Sequence, residues 1–81
     1  MIHPTAIIDS GAKIGSNVEI GPHSIIGGAV SIGDESIIGA HVVIEAGVEI
    51  GENCTLLPGV VIYRDVQIGR NYSREFRARF G

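Results

Sequence analysis

Three histidines are the side chains of this 81-residue chain best suited to acid–base chemistry: His3, His23 and His41. Histidine gains and loses a proton near neutral pH, which makes it the most frequent general base in enzymes. His23 and His41 lie 18 residues apart, three times the period of a repeat described below. His3 belongs to the opening segment Ile-His-Pro-Thr-Ala, and we interpret it as a structural residue at the start of the fold rather than as a base.

The other reactive residue types indicate structure rather than chemistry. Cys54 is the single cysteine, which excludes an intramolecular disulfide, and no cluster of Cys and His has zinc-site spacing. The glycines form no phosphate-binding motif. We therefore predict no metal site and no cofactor. The carboxylates before residue 70 are interpreted as a solvated surface. They are Asp9, Glu19, Asp34, Glu35, Glu45, Glu49, Glu52 and Asp65.

Length and composition exclude several classes of protein. A chain of 81 residues with 5% aromatic residues holds at most one domain and is close to the lower limit for an independent core. The sequence has no long apolar run and no basic-then-apolar leader, so we predict no membrane span, no signal peptide and a cytoplasmic location. The net charge of -3 argues against general nucleic-acid binding.

A six-residue repeat explains how so few large side chains can form a core. From Ile2 onward, every sixth residue is large and aliphatic over twelve positions, a period that fits no helix. These positions are Ile2, Ile8, Ile14, Ile20, Ile26, Ile32, Ile38, Ile44, Ile50, Leu56, Ile62 and Ile68. A second column lies two positions before each of these residues from Ile8 onward. It runs from Ala6 to Val66, and all of its members are small or slender. Cys54 belongs to this second column, which favours a small core residue over a nucleophile.

The repeat predicts an all-β fold. β-branched residues favour extended chain, and the glycine that follows many of the isoleucines begins a bend where φ can be positive. One strand and one bend per six residues form a prism whose successive coils share backbone hydrogen bonds. The large and the small columns then alternate in its interior.

This pattern resembles the hexapeptide-repeat acyltransferases over residues 2–70. Three segments look like the UDP-3-O-acylglucosamine N-acyltransferases of lipid A biosynthesis. They are Ile-His-Pro-Thr-Ala-Ile-Ile (2–8), Gly-Ala-His-Val-Val-Ile (39–44) and Leu-Pro-Gly-Val-Val-Ile-Tyr-Arg-Asp-Val-Gln-Ile-Gly-Arg-Asn (57–71). The resemblance implies a left-handed parallel β-helix with three hexapeptides per coil, about four triangular coils in this chain, and a homotrimer. It also implies an acyl carrier protein as donor and a UDP-sugar as acceptor.

With three hexapeptides per coil, residues 18 apart lie above one another. His23 and His41 then stack at one corner, between Thr5 below and Gly59 above. Because enzymes of this family use a histidine base in a cleft between subunits, these two histidines are our candidate substrate-binding residues. The alternative is that both are exposed corner residues, or that they hydrogen-bond at an interface.

The residue before each isoleucine is expected to point outward, and these residues differ by face. One face is apolar throughout, and we predict that it is the subunit interface. It consists of Ile7, Ile25, Val43 and Val61. The second face is polar, with Lys13, Ser31, Glu49 and Gln67. The third is mixed, with Met1, Glu19, Ile37, Thr55 and Ser73. The alternative for the apolar face is a chance arrangement in a chain rich in isoleucine and valine.

The sequence departs from the family in three features. It has no counterpart of the N-terminal domain that helps to bind uridine, of the C-terminal helices, or of the histidine motif Ile-Ala-His-Asn. We therefore predict no catalytic residue, and we interpret the chain as the early coils of such an acyltransferase, truncated, frame-shifted or engineered, and inactive alone. The alternative is a trimerising structural β-solenoid module without catalysis.

The repeat ends at Gly69, so we divide the chain into a repeat region (residues 1–69) and a tail (residues 70–81). The tail carries four arginines against one acid, and Tyr72, Phe76 and Phe80 are spaced like one face of a helix. We predict a short helical or irregular cap whose aromatic side chains cover the last coil. The alternatives are a solvated basic tail and a contact with phosphate or an acyl carrier protein.

Overall fold

The computed structural model describes residues 1–70 and, beyond them, the backbone of the two short strands Ser73–Arg74 and Arg79–Phe80. The regular structure of these residues consists of two-residue strands that recur every six residues. They are β1 (Ile7–Ile8), β2 (Lys13–Ile14), β3 (Glu19–Ile20), β4 (Ile25–Ile26), β5 (Ser31–Ile32), β6 (Ile37–Ile38), β7 (Val43–Ile44), β8 (Glu49–Ile50), β9 (Thr55–Leu56), β10 (Val61–Ile62), β11 (Gln67–Ile68), β12 (Ser73–Arg74) and β13 (Arg79–Phe80).

The strands form three parallel sheets, and the chain visits them in turn. The apolar sheet contains β1, β4, β7, β10 and β13; the polar sheet contains β2, β5, β8 and β11; the mixed sheet contains β3, β6, β9 and β12. Strands three apart in sequence pair in a register of 18 residues, for example Ile7 with Ile25 and Ile8 with Ile26. Three repeats therefore make one coil, and the predicted all-β parallel solenoid is confirmed.

The two predicted core columns are buried. The large aliphatic residues from Ile20 to Ile68 are at most 9% exposed, and the small residues from Val18 to Val60 are at most 4% exposed. The column residues of the first coil, such as Ile8 and Ile14, are only partly buried because no coil lies below them in the structure. Alternation of one large and one small side chain fills the narrow interior with apolar atoms.

Two serines occupy the small column and keep their hydroxyl groups hydrogen-bonded. The hydroxyl of Ser24 donates to the carbonyl of Gly39 (2.7 Å) and accepts from the N–H of Val42 (3.1 Å). Ser36 makes the same pair of bonds, donating to the carbonyl of Gly51 and accepting from the N–H of Cys54. Because a buried hydroxyl without partners is costly, these bonds explain why serine is tolerated in an apolar column.

The bends differ from the sequence-based expectation. Positive φ falls on the last residue of each bend, two residues after the expected glycine, and most of these residues are not glycine. They are Asn17 (59°), His23 (59°), Ala29 (57°), Glu35 (63°), His41 (56°), Gly47 (78°), Asn53 (60°), Gly59 (84°) and Asp65 (62°). The N–H of most of these residues donates to a carbonyl of the preceding coil, which helps to hold the left-handed conformation.

The glycine column is required by the close approach of neighbouring coils. A Cβ atom on Gly21 would lie 2.7 Å from the backbone nitrogen of Ala40 and 2.8 Å from the carbonyl carbon of Gly39. The expectation that these glycines provide positive φ is therefore wrong. They are required because the first residue of a bend faces the backbone of the next coil. A side chain there would separate the coils.

The tail continues the strand pairing instead of forming a helix at its described residues. Strand β12 pairs with β9, and β13 pairs with β10, both in the 18-residue register. The helical alternative is therefore wrong for these four residues, since the open edges of β9 and β10 offer backbone partners that a short isolated helix lacks. Tyr72 and Phe76 lie outside the described residues, and the capping role of Tyr72, Phe76 and Phe80 stays a prediction.

Replacing Gly21 with alanine tests the requirement for close approach. We expect Gly21→Ala to lower the free energy of unfolding by about 1–3 kcal/mol, the usual cost of overpacking. Gly69→Ala is the matched control from the same column, because a Cβ there meets no atom within 4 Å. Urea unfolding followed by circular dichroism measures both, and an equal effect of the two substitutions would contradict this account of the column.

Candidate functional site: a stacked histidine pair beside an apolar sheet

The outward residues of the apolar sheet form a continuous column. Ile7, Ile25, Val43 and Val61 are register partners on successive coils. Ile7 is 64% exposed and Ile25 44% exposed, whereas the two valines are half-buried. The column therefore presents apolar surface to solvent on one side of the protein. Its predicted contact with another subunit stays a prediction.

His23 and His41 form a stacked pair at the corner between the mixed and the apolar sheets. Their ring centroids are 5.2 Å apart, and the ring planes are inclined by 24°. Both residues are exposed, and both have positive φ. The pair lies in the bends that lead into β4 and β7, so each histidine precedes an outward residue of the apolar sheet, Ile25 or Val43, by two positions.

Backbone hydrogen bonds fix the positions of the two histidines. The N–H of His41 donates to the carbonyl of Pro22 (3.0 Å), and the N–H of His23 donates to the hydroxyl of Thr5 (3.0 Å). The rings themselves are free of protein hydrogen bonds: within the described part of the chain, no partner contacts a ring nitrogen of either residue. The stack is thus placed by the backbone and open at its edges.

His3 stabilises the first bend. Its Nδ1 accepts from the backbone N–H of Thr5 (3.2 Å) and lies 2.9 Å from the Thr5 hydroxyl oxygen. Because Nδ1 acts as an acceptor, we assign the Thr5 hydroxyl as the donor to it. The Thr5 hydroxyl oxygen also accepts from the N–H of His23. The sequence-based interpretation of His3 as a structural residue agrees with this geometry.

Among the residues with described side chains, no carboxylate orients the stacked pair. Glu45, the acid nearest to His41 in sequence, instead accepts from the backbone N–H of Arg64 (3.1 Å) at the corner between the apolar and polar sheets. A histidine that acts as a general base is usually oriented by a hydrogen-bonded third group. The pair therefore offers two accessible imidazoles, but not the arrangement of an oriented base.

Sequence analysis missed a second feature, an acidic cleft at the corner between the polar and mixed sheets. Its open volume is about 350 Å³, and its acids are Asp34, Glu35 and Glu52. The 18-residue register places Asp34 below Glu52. Along the sequence, the same carboxylates look scattered. Asp34 accepts from the N–H of Ser16 (2.9 Å), and Arg70 lies 3.8 Å from Glu52. No group of three or more possible metal ligands occurs among the residues with described side chains.

Cys54 is fully buried in the small column. Its thiol lies 3.1 Å from the carbonyl oxygen of Gly69, to which it donates, and none of its surface is exposed. A thiol in this environment has no path to a substrate, which agrees with the interpretation of Cys54 as a core residue.

Two family models match this chain. The bacterial transferase hexapeptide (six repeats) matches residues 11–46, and the hexapeptide repeat of succinyl-transferase matches residues 29–64. The chain belongs to the hexapeptide-repeat proteins, and its solenoid is a left-handed parallel β-helix. Comparison with curated proteins gives no significant match. Residues 1–70 and the two later strands include no helix able to span a bilayer.

Solved acyltransferase structures share this β-helix. LpxA from Acinetobacter baumannii is 32% identical, with a TM-score of 0.71 over 89% of this chain. The UDP-N-acetylglucosamine acyltransferase of Francisella novicida is 27% identical, with a TM-score of 0.71 over 90%. Serine acetyltransferase isoform 3 from Entamoeba histolytica is 22% identical, with a TM-score of 0.61 over 94%, and shows the fold alone.

The alignments cover only part of each related protein. This chain spans 35% of the Acinetobacter, 33% of the Francisella and 32% of the Entamoeba protein. The similarity to the first two supports a relationship with the lipid A pathway acyltransferases. The finer assignment to the UDP-3-O-acylglucosamine N-acyltransferases stays a prediction.

The burial of Cys54 has a direct chemical test. We expect a thiol reagent to modify one cysteine per chain in denaturant and none in native buffer over the same period, because reaction requires opening of the coils. A Cys54→Ser, Glu49→Cys variant is the positive control, since residue 49 is exposed on the polar sheet. Rapid reaction of the native wild-type thiol would overturn the assignment to the core.

Proposed function

We propose that this chain forms the early coils of a lipid A pathway acyltransferase. In its complete form, such an enzyme transfers an acyl group from an acyl carrier protein to a UDP-glucosamine derivative. The observation that carries this proposal is the similarity to LpxA, which is 32% identical over 89% of the chain with a TM-score of 0.71. Because the chain spans 35% of that relative, the donor and the acceptor belong to the proposed complete protein.

The proposed task of these coils is subunit assembly. The apolar column of Ile7, Ile25, Val43 and Val61 leaves two isoleucine side chains exposed to solvent. An exposed apolar surface on a regular sheet is typical of a protein contact. We propose that three chains pack through this sheet about an axis parallel to the β-helix. The polar sheet, with Lys13 and Glu49 exposed, remains in solvent.

The histidine pair lies at the edge of this proposed contact. His23 and His41 precede the apolar residues Ile25 and Val43 by two residues each. If the apolar sheets of neighbouring chains meet, the two imidazoles line the groove between subunits. They are therefore our candidates for contact with a substrate, although no carboxylate among the described residues orients them for proton transfer.

A structural role without catalysis is the second candidate function. The sequence lacks the motif Ile-Ala-His-Asn, and the described residues hold no histidine that hydrogen-bonds to a carboxylate. Both observations favour a trimerising structural module that has no catalytic activity. The two candidates differ in whether these coils can support acyl transfer when they are joined to the remainder of an enzyme.

Assembly through the apolar sheet predicts a specific solution mass. We expect the chain to sediment at about 25 kDa, three times the 8.5 kDa of one chain. Ile25→Glu should shift this mass to that of the monomer, because a carboxylate in the interface loses its hydration. Ser31→Glu is the matched control, since Ser31 is the first residue of the next strand on the polar sheet. A wild-type chain that remains monomeric at all concentrations would refute the trimer.

Exchange of coils tests the acyltransferase proposal. We expect the 81-residue chain alone to give no acyl transfer from an acyl carrier protein thioester to UDP-N-acetylglucosamine. A chimera in which residues 1–69 replace the matching coils of Acinetobacter LpxA should retain transfer, because under this proposal the exchanged coils supply the assembly surface and contribute no catalytic residue.

The control chimera carries the matching coils of the Entamoeba serine acetyltransferase. These coils share the fold but come from a different enzyme. We expect it to lose transfer. Equal activity of both chimeras would mean that any β-helix suffices and would favour the structural role. A folded but inactive chimera with residues 1–69 would contradict the acyltransferase proposal.

A further inference from the structure

The stacked pair of His23 and His41 presents ring nitrogens that are available to bind a ligand. Four ring nitrogens are brought together on two neighbouring coils, and none has a hydrogen-bond partner among the described residues. Both side chains are exposed, so a ligand reaches them without opening the core. Two neighbouring imidazoles whose ring nitrogens have no hydrogen-bond partner are suited to metal coordination.

We infer that His23 and His41 together bind one divalent transition-metal ion of the class of Zn²⁺, Ni²⁺ and Cu²⁺. Imidazole nitrogen suits these ions, whereas Mg²⁺ and Ca²⁺ take oxygen ligands. One ring nitrogen from each histidine occupies a coordination position, and water occupies the others. This inference is independent of the proposed acyltransferase relationship.

The geometry of the stack allows a two-point chelate. Zinc lies about 2.0–2.1 Å from a histidine nitrogen, so one ion joins two nitrogens that are up to roughly 4 Å apart. The ring centroids are 5.2 Å apart, and the 24° inclination already opens the stack on one side. The lone pairs of imidazole nitrogens lie in the ring planes, so both rings must turn about χ1 and χ2 to direct one nitrogen each at a shared ion. Both side chains are exposed, which leaves room for this rotation.

The backbone maintains the spacing of the two ligands. His41 is tied to Pro22 of the coil below, and His23 is tied to Thr5. The pair therefore loses little backbone entropy when it binds the ion. Because the described side chains include no group of three possible ligands, the ion keeps exchangeable water, unlike the closed coordination of a structural zinc site.

The sequence-based expectation of no metal site rested on local Cys and His spacing, whereas these two ligands meet only through the 18-residue register. Histidine also has a simpler role at these positions, because it tolerates positive φ better than most residues. Asparagine fulfils that simpler role equally well: Asn17 and Asn53 occupy the equivalent bend position with φ of 59° and 60°. Replacement of either histidine by asparagine thus removes a ligand and preserves the bend.

Calorimetric titration of the full 81-residue chain with Zn²⁺, after removal of any affinity tag, tests the inference. We expect one Zn²⁺ per chain, and selective shifts of the His23 and His41 ring resonances in NMR spectra. His23→Asn and His41→Asn should each weaken binding by at least the roughly 10–100-fold that loss of an outer-shell partner causes. Mg²⁺ should give no binding.

His3→Asn is the matched control, because it removes the third imidazole of the chain and leaves the stack intact. We expect it to keep the wild-type affinity for Zn²⁺. Circular dichroism of all variants verifies that the β-helix is retained. The inference is overturned if the wild-type chain does not bind Zn²⁺, if both stack variants bind it with unchanged affinity, or if binding is lost only in His3→Asn.

Discussion

Parallel hydrogen bonding between successive coils is the constraint on which the whole structure depends. The N–H of Ile25 donates to the carbonyl of Val42, and the N–H of Val43 donates to that of Val60, each across one coil. This ladder closes only if every coil has the same number of residues on each side. A six-residue repeat satisfies it without insertions. Each position of the repeat therefore has one environment on all coils, and the core is built by repetition rather than by large side chains.

The same ladder determines which residues the corners accept. Coils held at hydrogen-bonding distance leave no room for a Cβ at the first bend position, where Gly21 contacts the backbone of Ala40. The third bend position turns the chain with positive φ and points its side chain outward. Residues as different as Glu35, His41 and Asn53 occupy it, because its N–H donates to a carbonyl of the preceding coil and its side chain points away from the core. The residue type at this corner position can therefore vary, whereas the residue types of the core are restricted by packing.

Function in this fold is confined to outward positions. Inward residues are fixed by packing, so the β-helix is shared with LpxA and with a serine acetyltransferase, although the latter is only 22% identical. Within the shared coils, functional differences between such proteins are expected at the sheet surfaces and corners. In this chain, those surfaces place an apolar column beside two imidazoles that have no hydrogen-bond partner within residues 1–70. An acidic cleft occupies another corner, where Asp34 and Glu52 lie one above the other.

The sequence by itself determined the period, the buried columns and the parallel fold. A residue type that recurs at every sixth position shows directly which side chains point inward. Only the tertiary structure decided features that depend on the distance between coils. The glycines serve close approach rather than positive φ, and the carboxylates of one corner meet across 18 residues. The tail shows the limit most clearly. Its aromatic spacing is helical, but its described residues form strands, since an open sheet edge offers hydrogen bonds that local sequence does not reveal.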